Sequence, residues 1–166
     1  MSRAPRVAIC GDGIAGPLDS AACHIGRRLA EAGCIVLTGG FGGVMAAASE
    51  GAYAAGGIVI GILPTYEAEG ANQHVTIPIC TGMGHARNAI LVASADVVVA
   101  IGGMYGTLSE IALGRKLGKH VILHQTWDIP VLIGNQDPMI QTALTPDDVV
   151  AKTCALLALT EGGQTL

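Results

Sequence analysis

A β-branched run ending in a glycine-rich bend constrains this chain more than any other stretch. Asp96-Val97-Val98-Val99-Ala100 is short and apolar, and reads as a buried strand of a parallel sheet. Ile101-Gly102-Gly103-Met104-Tyr105-Gly106-Thr107-Leu108-Ser109-Glu110 follows it. This leads into Ile111–Leu117, where apolar residues recur at helical spacing before Gly118. A strand-to-helix turn of this kind leaves backbone N–H groups free at the helix start, where the aligned peptide dipoles add partial positive charge. It is a place for an anion. Gly102, Gly103 and Gly106 remove the side chains that would keep a phosphate away, and two of them are free to adopt positive φ. Thr107 and Glu110 lie three apart on one helix face. That spacing fits either a ligand-facing pair or a capping box, with Thr107 capping the helix and Glu110 bonding back to it.

The same alternation recurs along the chain. Arg6–Cys10 reads as a strand, and Gly11-Asp12-Gly13-Ile14-Ala15-Gly16 after it matches the G-x-G-x-x-G dinucleotide fingerprint. A dinucleotide site also needs an acidic residue at the end of the second strand, and Cys34–Leu37 ends in Thr38-Gly39-Gly40 instead, so NAD(P) is not the expected ligand. Asp12 is then a turn residue or a contact for a ligand hydroxyl. Pro17 delays the first helix to Leu18 or Asp19, and it runs to Ala32. A second glycine-rich bend, Thr38-Gly39-Gly40-Phe41-Gly42-Gly43-Val44-Met45, opens a helix over Met45–Ala55. Its glycines imply close approach of a ligand or of another loop. Ile58–Leu63 is a third buried strand, 65–76 a polar loop at the strand ends, and Ile77–Cys80 an edge strand.

Thr81–Asn88 then opens a helix with Arg87 and Asn88 in its first turn, where a cation is badly placed unless an anion lies nearby or the side chain is simply exposed. His120–His124 is a further strand, followed by a loop with Trp127, Pro130 and Pro138. A terminal helix runs from Pro146 to just before Gly162-Gly163. The order predicts a single α/β domain over residues 1–166, Rossmann-like and three-layered, with a mainly parallel sheet.

Composition bounds the function. Hydrophobic residues make up 51% and charged ones 13%, more apolar surface than one such domain hides, so a homodimer or higher homo-oligomer is expected through the helices around Ile90-Leu91 and Ile111–Leu117. A net charge of −4 without a basic run argues against nucleic acid and against an anionic membrane. With no signal-peptide pattern and no apolar run of membrane-spanning length, a cytoplasmic location is expected, and the five scattered cysteines read as buried small hydrophobes in a reducing compartment. His120 and His124 stand about 13 Å apart on a strand face, and no His–Cys cluster has ligand spacing, so no metal site is expected.

Two glycine-rich bends in this order, an arginine helix between them and Thr-x-x-Glu after the second, resemble the LOG-like family. These are Rossmann-type proteins long labelled possible lysine decarboxylases and later recognised as phosphoribohydrolases that release cytokinin bases from nucleoside monophosphates. Gly102, Gly103, Gly106, Thr107, Glu110 and Arg87 match the family pattern. The chain departs from it in a bend one residue longer, in Asn88 where the hydrolases carry lysine, and in Ile101 where proline usually precedes the glycines. In these respects it looks closer to the branch that includes molybdenum-cofactor carrier proteins.

The resemblance implies a phosphate-bearing, nucleotide-like ligand held by Gly11, Asp12, Gly39, Gly40, Gly42, Gly43, Met45, Asn88, Gly102, Gly103, Tyr105, Gly106 and Thr107. Arg87 and Glu110 would be the catalytic pair if the N-glycosidic bond of a nucleoside 5′-monophosphate is hydrolysed. Under the alternative the same cradle serves a non-catalytic carrier or sensor, with a nucleotide or molybdenum cofactor as its bound molecule. No cofactor is required for either, and neither is a lysine decarboxylase.

Overall fold

A computed structural model describes residues 3–129, 134 and 136–161. Seven strands form one sheet: β1 (Arg6–Gly11), β2 (Ile35–Thr38), β3 (Val59–Leu63), β4 (Ile77–Cys80), β5 (Val97–Ile101), β6 (His120–His124) and β7 (Ile140–Thr142). Their order is β4-β3-β2-β1-β5-β6-β7, and every neighbouring pair is parallel. Among the described residues the helices that can be bounded are α1 (Asp19–Glu31), α2 (Gly43–Ala54), α3 (Arg87–Ser94), α4 (Tyr105–Lys116) and α5 (Pro146–Glu161), with a 3-10 turn at Gly84–Ala86 leading into α3.

The apolar runs become the centre of the sheet because they are covered from both sides. Val97, Val99 and Ile101 of β5 join Val7 and Ile9 of β1 in a core under α1, α2 and α5. Val98 and Ala100 join Ala8 and Cys10 under α3 and α4. All five β5 residues are fully buried, which is why that strand shows no polar alternation.

Chain elements differ from the sequence expectation at three places. Helix α4 starts at Tyr105, six residues before Ile111, so Gly106 is helical along with Thr107 and Glu110. Helix α2 starts at Gly43, and β7 appears within the stretch read as a loop. Pro130 and Gly162-Gly163 fall outside the described residues. Leu91 and Ile111 are spent in the chain's own core, which leaves Ile90 and Leu117 of the two expected contact helices nearer the surface. Ile77 and Ile79 on edge strand β4 are exposed as well.

Helices α1 and α2 meet at backbone distance, and two glycines permit it. A Cβ on Gly51 would run into the carbonyl of Cys23, and one on Gly26 into the carbonyl of Ala48. Gly51→Ala is expected to lower the free energy of unfolding by about 1–3 kcal/mol, read as a shift of the urea midpoint at unchanged slope. A shift below about 0.5 kcal/mol would show that the two helices separate at no cost.

Candidate functional site

Strand order reverses between β1 and β5, since the chain leaves β1 toward β2 on one side and continues from β5 toward β6 on the other. In open parallel sheets the crevice at such a switch point, outside the carboxyl ends of the strands, is where ligands bind. Three bends meet there.

The bend after β1 is filled by the protein itself. A Cβ on Gly11 would strike the Ile101 carbonyl and the Val44 side chain, so Gly11 answers to packing rather than to a ligand. Asp12 follows it and ties the bends together. Its carbonyl accepts the Val44 amide at 2.9 Å, at the start of α2, and its Oδ2 accepts the Gly103 amide at 3.2 Å, just ahead of α4. One carboxylate oxygen therefore already meets one of the amides that the sequence assigned to a ligand.

In the second bend the approach that the glycines permit is largely that of other loops. Gly40 and Gly43 take positive φ (81° and 57°). A Cβ on Gly42 would meet the Gly13 carbonyl, and one on Gly43 the Asp12 and Ile14 backbone. Asn72, from the 65–76 loop, donates through its amide at 2.8 Å and its Nδ2 at 3.1 Å to the Gly40 carbonyl, and through Nδ2 at 3.0 Å to that of Phe41. Gly39 lies under the Arg87 guanidinium and the Met45 sulfur, which a side chain there would have to displace.

The third bend is different. Gly102 and Gly103 take positive φ (56° and 93°), the Gly102 amide donates to the His124 carbonyl at 3.0 Å, and Gly103 packs against the Thr107 side chain. Met104 is the N-cap of α4 and no side chain caps this helix, so Thr107 and Glu110 do not form a capping box. Gly106 faces open space, with nothing within 4 Å of where a Cβ would stand. It sits in the first turn of α4, where helix amides lack intrahelical partners. An exposed helical glycine with no steric reason to be glycine costs up to about 1 kcal/mol relative to alanine. Nothing in the fold returns that stability.

Beneath the bends Arg87, Glu110 and Cys10 form a buried group. Arg87 opens α3 and donates from Nη1 to the Ile62 carbonyl at 2.9 Å, while its Nε is buried without a partner, as is Oδ1 of the adjacent Asn88. Burial lowers the pKa of Arg87, against the upward pull of Glu110 and Cys10. Burial raises Glu110 from 4.5 to about 7, against the downward pull of Arg87 and of the Cys10 thiol. Burial also pushes the Cys10 thiol well above its usual range, with Glu110 adding to the rise and Arg87 opposing it.

The structure thus joins Arg87 to Glu110 beneath the bends and Asp12 and Thr107 to Gly103 in them, buries Asn88 next to Arg87 in α3, and leaves Tyr105 exposed. Cys10, read from the sequence only as a small hydrophobe, belongs to the same group. Its signal was parity on β1, which places it on the α3–α4 face with Ala8.

Seven parallel strands wound in this order, with the glycine bends at their switch point, make a LOG-like Rossmann protein. Within that class the SLOG cluster4 family pattern matches residues 4–153, and the chain belongs to that family. An uncharacterised protein of Archaeoglobus fulgidus is 47% identical over 100 residues, 60% of this chain and 66% of that protein. A probable cytokinin riboside 5′-monophosphate phosphoribohydrolase of Oryza sativa subsp. japonica is 32% identical over 94 residues, 55% of this chain and 38% of that protein. The chain therefore spans just under two thirds of the first of these relatives and well under half of the second.

Solved structures align over nearly the whole chain. The molybdenum cofactor binding protein of Rippkaea orientalis is 38% identical with a TM-score of 0.86, covering 95% of this chain and 99% of its own. The molybdenum cofactor carrier protein of Chlamydomonas reinhardtii is 34% identical with a TM-score of 0.85, covering 94% and 99%. Among the described residues no helix is long and apolar enough to cross a membrane.

The raised pKa of Glu110 carries a sign for stability. The folded state holds the proton more tightly than the unfolded chain, so the stability this one group contributes is fully present below about pH 4.5 and is lost as pH rises from there through about 7, by on the order of 3 kcal/mol. Glu110→Gln has no such proton to lose. Its advantage over the natural chain in thermal or urea unfolding is expected to grow between pH 4.5 and 7 and then level off. A difference that stays constant from pH 4 to 8 would mean that Glu110 titrates as an ordinary surface carboxyl.

Proposed function

We propose that this protein binds a phosphate-bearing, nucleotide-like small molecule at the start of α4 and acts as a carrier or sensor of it, with molybdenum cofactor among the candidate cargoes. Gly106 carries the reading: open space over a first-turn glycine gives an anion direct access to helix amides, at a position where the fold itself gains nothing from glycine. The phosphate would sit against the amides of Tyr105, Gly106 and Thr107, beyond the Gly103 amide that Asp12 takes. Arg87 supplies positive charge beneath them. The likeness to the two molybdenum cofactor proteins extends over nearly the full chain and favours a carrier.

A second reading, hydrolysis of a nucleoside 5′-monophosphate, rests on one observation. Glu110 titrates near neutrality beside a guanidinium, and a carboxyl so tuned can stabilise positive charge developing on a ribose while ordering water. The partial likeness to the Oryza sativa protein points the same way.

Calorimetry with AMP, GMP, a pterin monophosphate and inorganic phosphate tests the first reading, with Gly106→Ala as the variant. The alanine is expected to unfold no more easily than the natural chain and to bind at least about tenfold more weakly, because its methyl group enters the anion site. If none of the four binds, the cradle reading falls. Incubation with AMP and a cytokinin nucleotide separates the two readings: free base released by the natural chain and lost in Glu110→Gln establishes hydrolysis, and binding with no base released establishes a carrier or sensor.

The exposed Ile77, Ile79 and Leu117 also support a homodimer or higher homo-oligomer. Sedimentation at micromolar concentration is expected to show at least a dimer; a monomer would end that reading.

A further inference from the structure

A cavity of about 290 Å³ opens at the carboxyl ends of β6 and β7. Its walls include Leu123, Gln125, Thr126, Trp127, Thr142 and Leu144. Three contacts join it to the bend that opens α4. The Trp127 indole Nε1 donates to the Met104 carbonyl at 3.2 Å, and Met104 is the residue just before that helix. The Trp127 ring lies 5.7 Å from the Tyr105 ring, tilted by 35°, and Tyr105 is the first residue of α4. The Gly102 amide is bonded to the His124 carbonyl, so the segment Gln125–Trp127 departs from the same point as the bend. The cavity and the α4 amides are neighbouring parts of one rim.

The lining is of two kinds. Trp127, Leu123 and Leu144 are apolar, and Leu144 is 81% exposed, a large side chain left in water beside the opening. Gln125, Thr126 and Thr142 bring polar groups among them, and Asp128 a carboxylate. The Thr126 hydroxyl oxygen is buried and has no hydrogen-bond partner, a state that costs free energy in the free protein and is relieved by a group that donates or accepts there. Gln125 holds φ at 50°, the one non-glycine residue with positive φ among those described. Strained backbone of this kind gathers at sites of function. An aliphatic chain would leave the Thr126 hydroxyl unpaired, and an anion would meet the Asp128 carboxylate and gain nothing from the indole and leucine walls. A flat ring with polar edges meets both kinds of wall.

We propose that this cavity receives the planar, hydrogen-bonding heterocycle of the ligand whose phosphate lies at the start of α4, a purine or a pterin, with Trp127 as its apolar wall and Thr126 as an edge partner. The assignment rests on the phosphate-binding reading above and adds to it where the ring goes. Two consequences can be separated. Ring-bearing phosphates bind more tightly than ringless ones, and the gain depends on Thr126 and is felt by Trp127.

Trp127 is the single tryptophan of the chain, so its intrinsic fluorescence reports this wall alone. The full chain is titrated with AMP, GMP and a pterin monophosphate, with ribose 5-phosphate and inorganic phosphate as ringless probes, while calorimetry follows binding independently. At least one ring-bearing probe is expected to bind at least about tenfold more tightly than the ringless ones and to change the Trp127 emission; purine against pterin then tells which source supplies the ring. Thr126→Val removes only a hydroxyl that has no partner in the free fold. It is expected to leave stability unchanged or raised, to weaken the ring-bearing probe several-fold, and to leave inorganic phosphate unaffected.

If phosphates bind but the ring adds no affinity, or if a tight ring-bearing probe leaves both Trp127 and the Thr126→Val variant indifferent, the cavity assignment is overturned while the phosphate site stands. If no probe binds at all, both fall together, and Gly106→Ala, which weakens phosphate binding without touching the cavity, shows which part has failed in the intermediate cases.

Discussion

Asp12 is the residue on which the geometry of the rim depends. Its backbone carbonyl holds the start of α2 through the Val44 amide, and its carboxylate holds the bend before α4 through the Gly103 amide, although 91 residues separate the two partners of that second bond. Neither contact could form unless β1 and β5 were adjacent in the sheet and α2 could approach β1 at backbone distance. Gly11 allows this, since any larger residue would collide with Val44 and with Ile101. The switch point is thus more than a gap left between diverging strands. Asp12 bonds to both of its sides, and the start of α4 follows directly from the bend that its carboxylate holds.

Beneath the frame the balance of buried charge is unusual. A guanidinium, a carboxyl and a thiol share one low-dielectric region, and burial pushes each toward its neutral form while the opposite charges of Arg87 and Glu110 favour ionisation. For Glu110 burial outweighs the attraction. The carboxyl is accordingly poised between states near neutral pH, so the charge under the bends changes within the range in which a phosphate monoester, with a second pKa of about 6, gains its own second charge. A protonated Glu110 removes a repulsion that a dianion would otherwise feel. Arg87 is bonded to the Ile62 carbonyl and wedged against Gly39, contacts that do not involve the Glu110 carboxyl.

The architecture was legible in the sequence because its central strands are buried on both faces. Val97–Ile101 could hardly belong to anything else, and the glycine bends marked where each strand ended. Elements at the margin were not legible. Strand β7 is three residues long and only partly buried, too short for alternation to register. The start of α4 was hidden because Gly103 and Gly106 look alike in a sequence, although one takes positive φ and the other lies in a regular first turn. Arg87 and Glu110 stood out in the sequence by a mismatch with the helix dipole and by spacing, and the fold buries Glu110 beside the Arg87 guanidinium. Cys10 was missed because its meeting with Glu110 follows from the register of β1 against β5 and from α4 crossing that face, neither of which the sequence of one strand encodes. For the same reason the cavity by Trp127 could not be foreseen, since Thr142 and Leu144 reach it only through the pairing of β7 with β6.

Glycine-rich bends invite a ligand, and the bends of this protein show how far that inference reaches. At Gly11, Gly42 and Gly43 a Cβ would collide with the chain's own backbone or core, and at Gly39 with the guanidinium of Arg87. Gly11, Gly42 and Gly43 are required by folding whether or not anything binds, whereas at Gly39 the obstacle is the far ends of two flexible side chains. Gly106 is the informative one because the argument runs the other way: alanine would fit, would favour the helix, and would collide with nothing. A residue that weakens its own helix and relieves no clash is best accounted for by something outside the chain. The strength of the functional case therefore does not grow with the number of glycines in the motif. It rests on the one whose absent side chain the fold does not need.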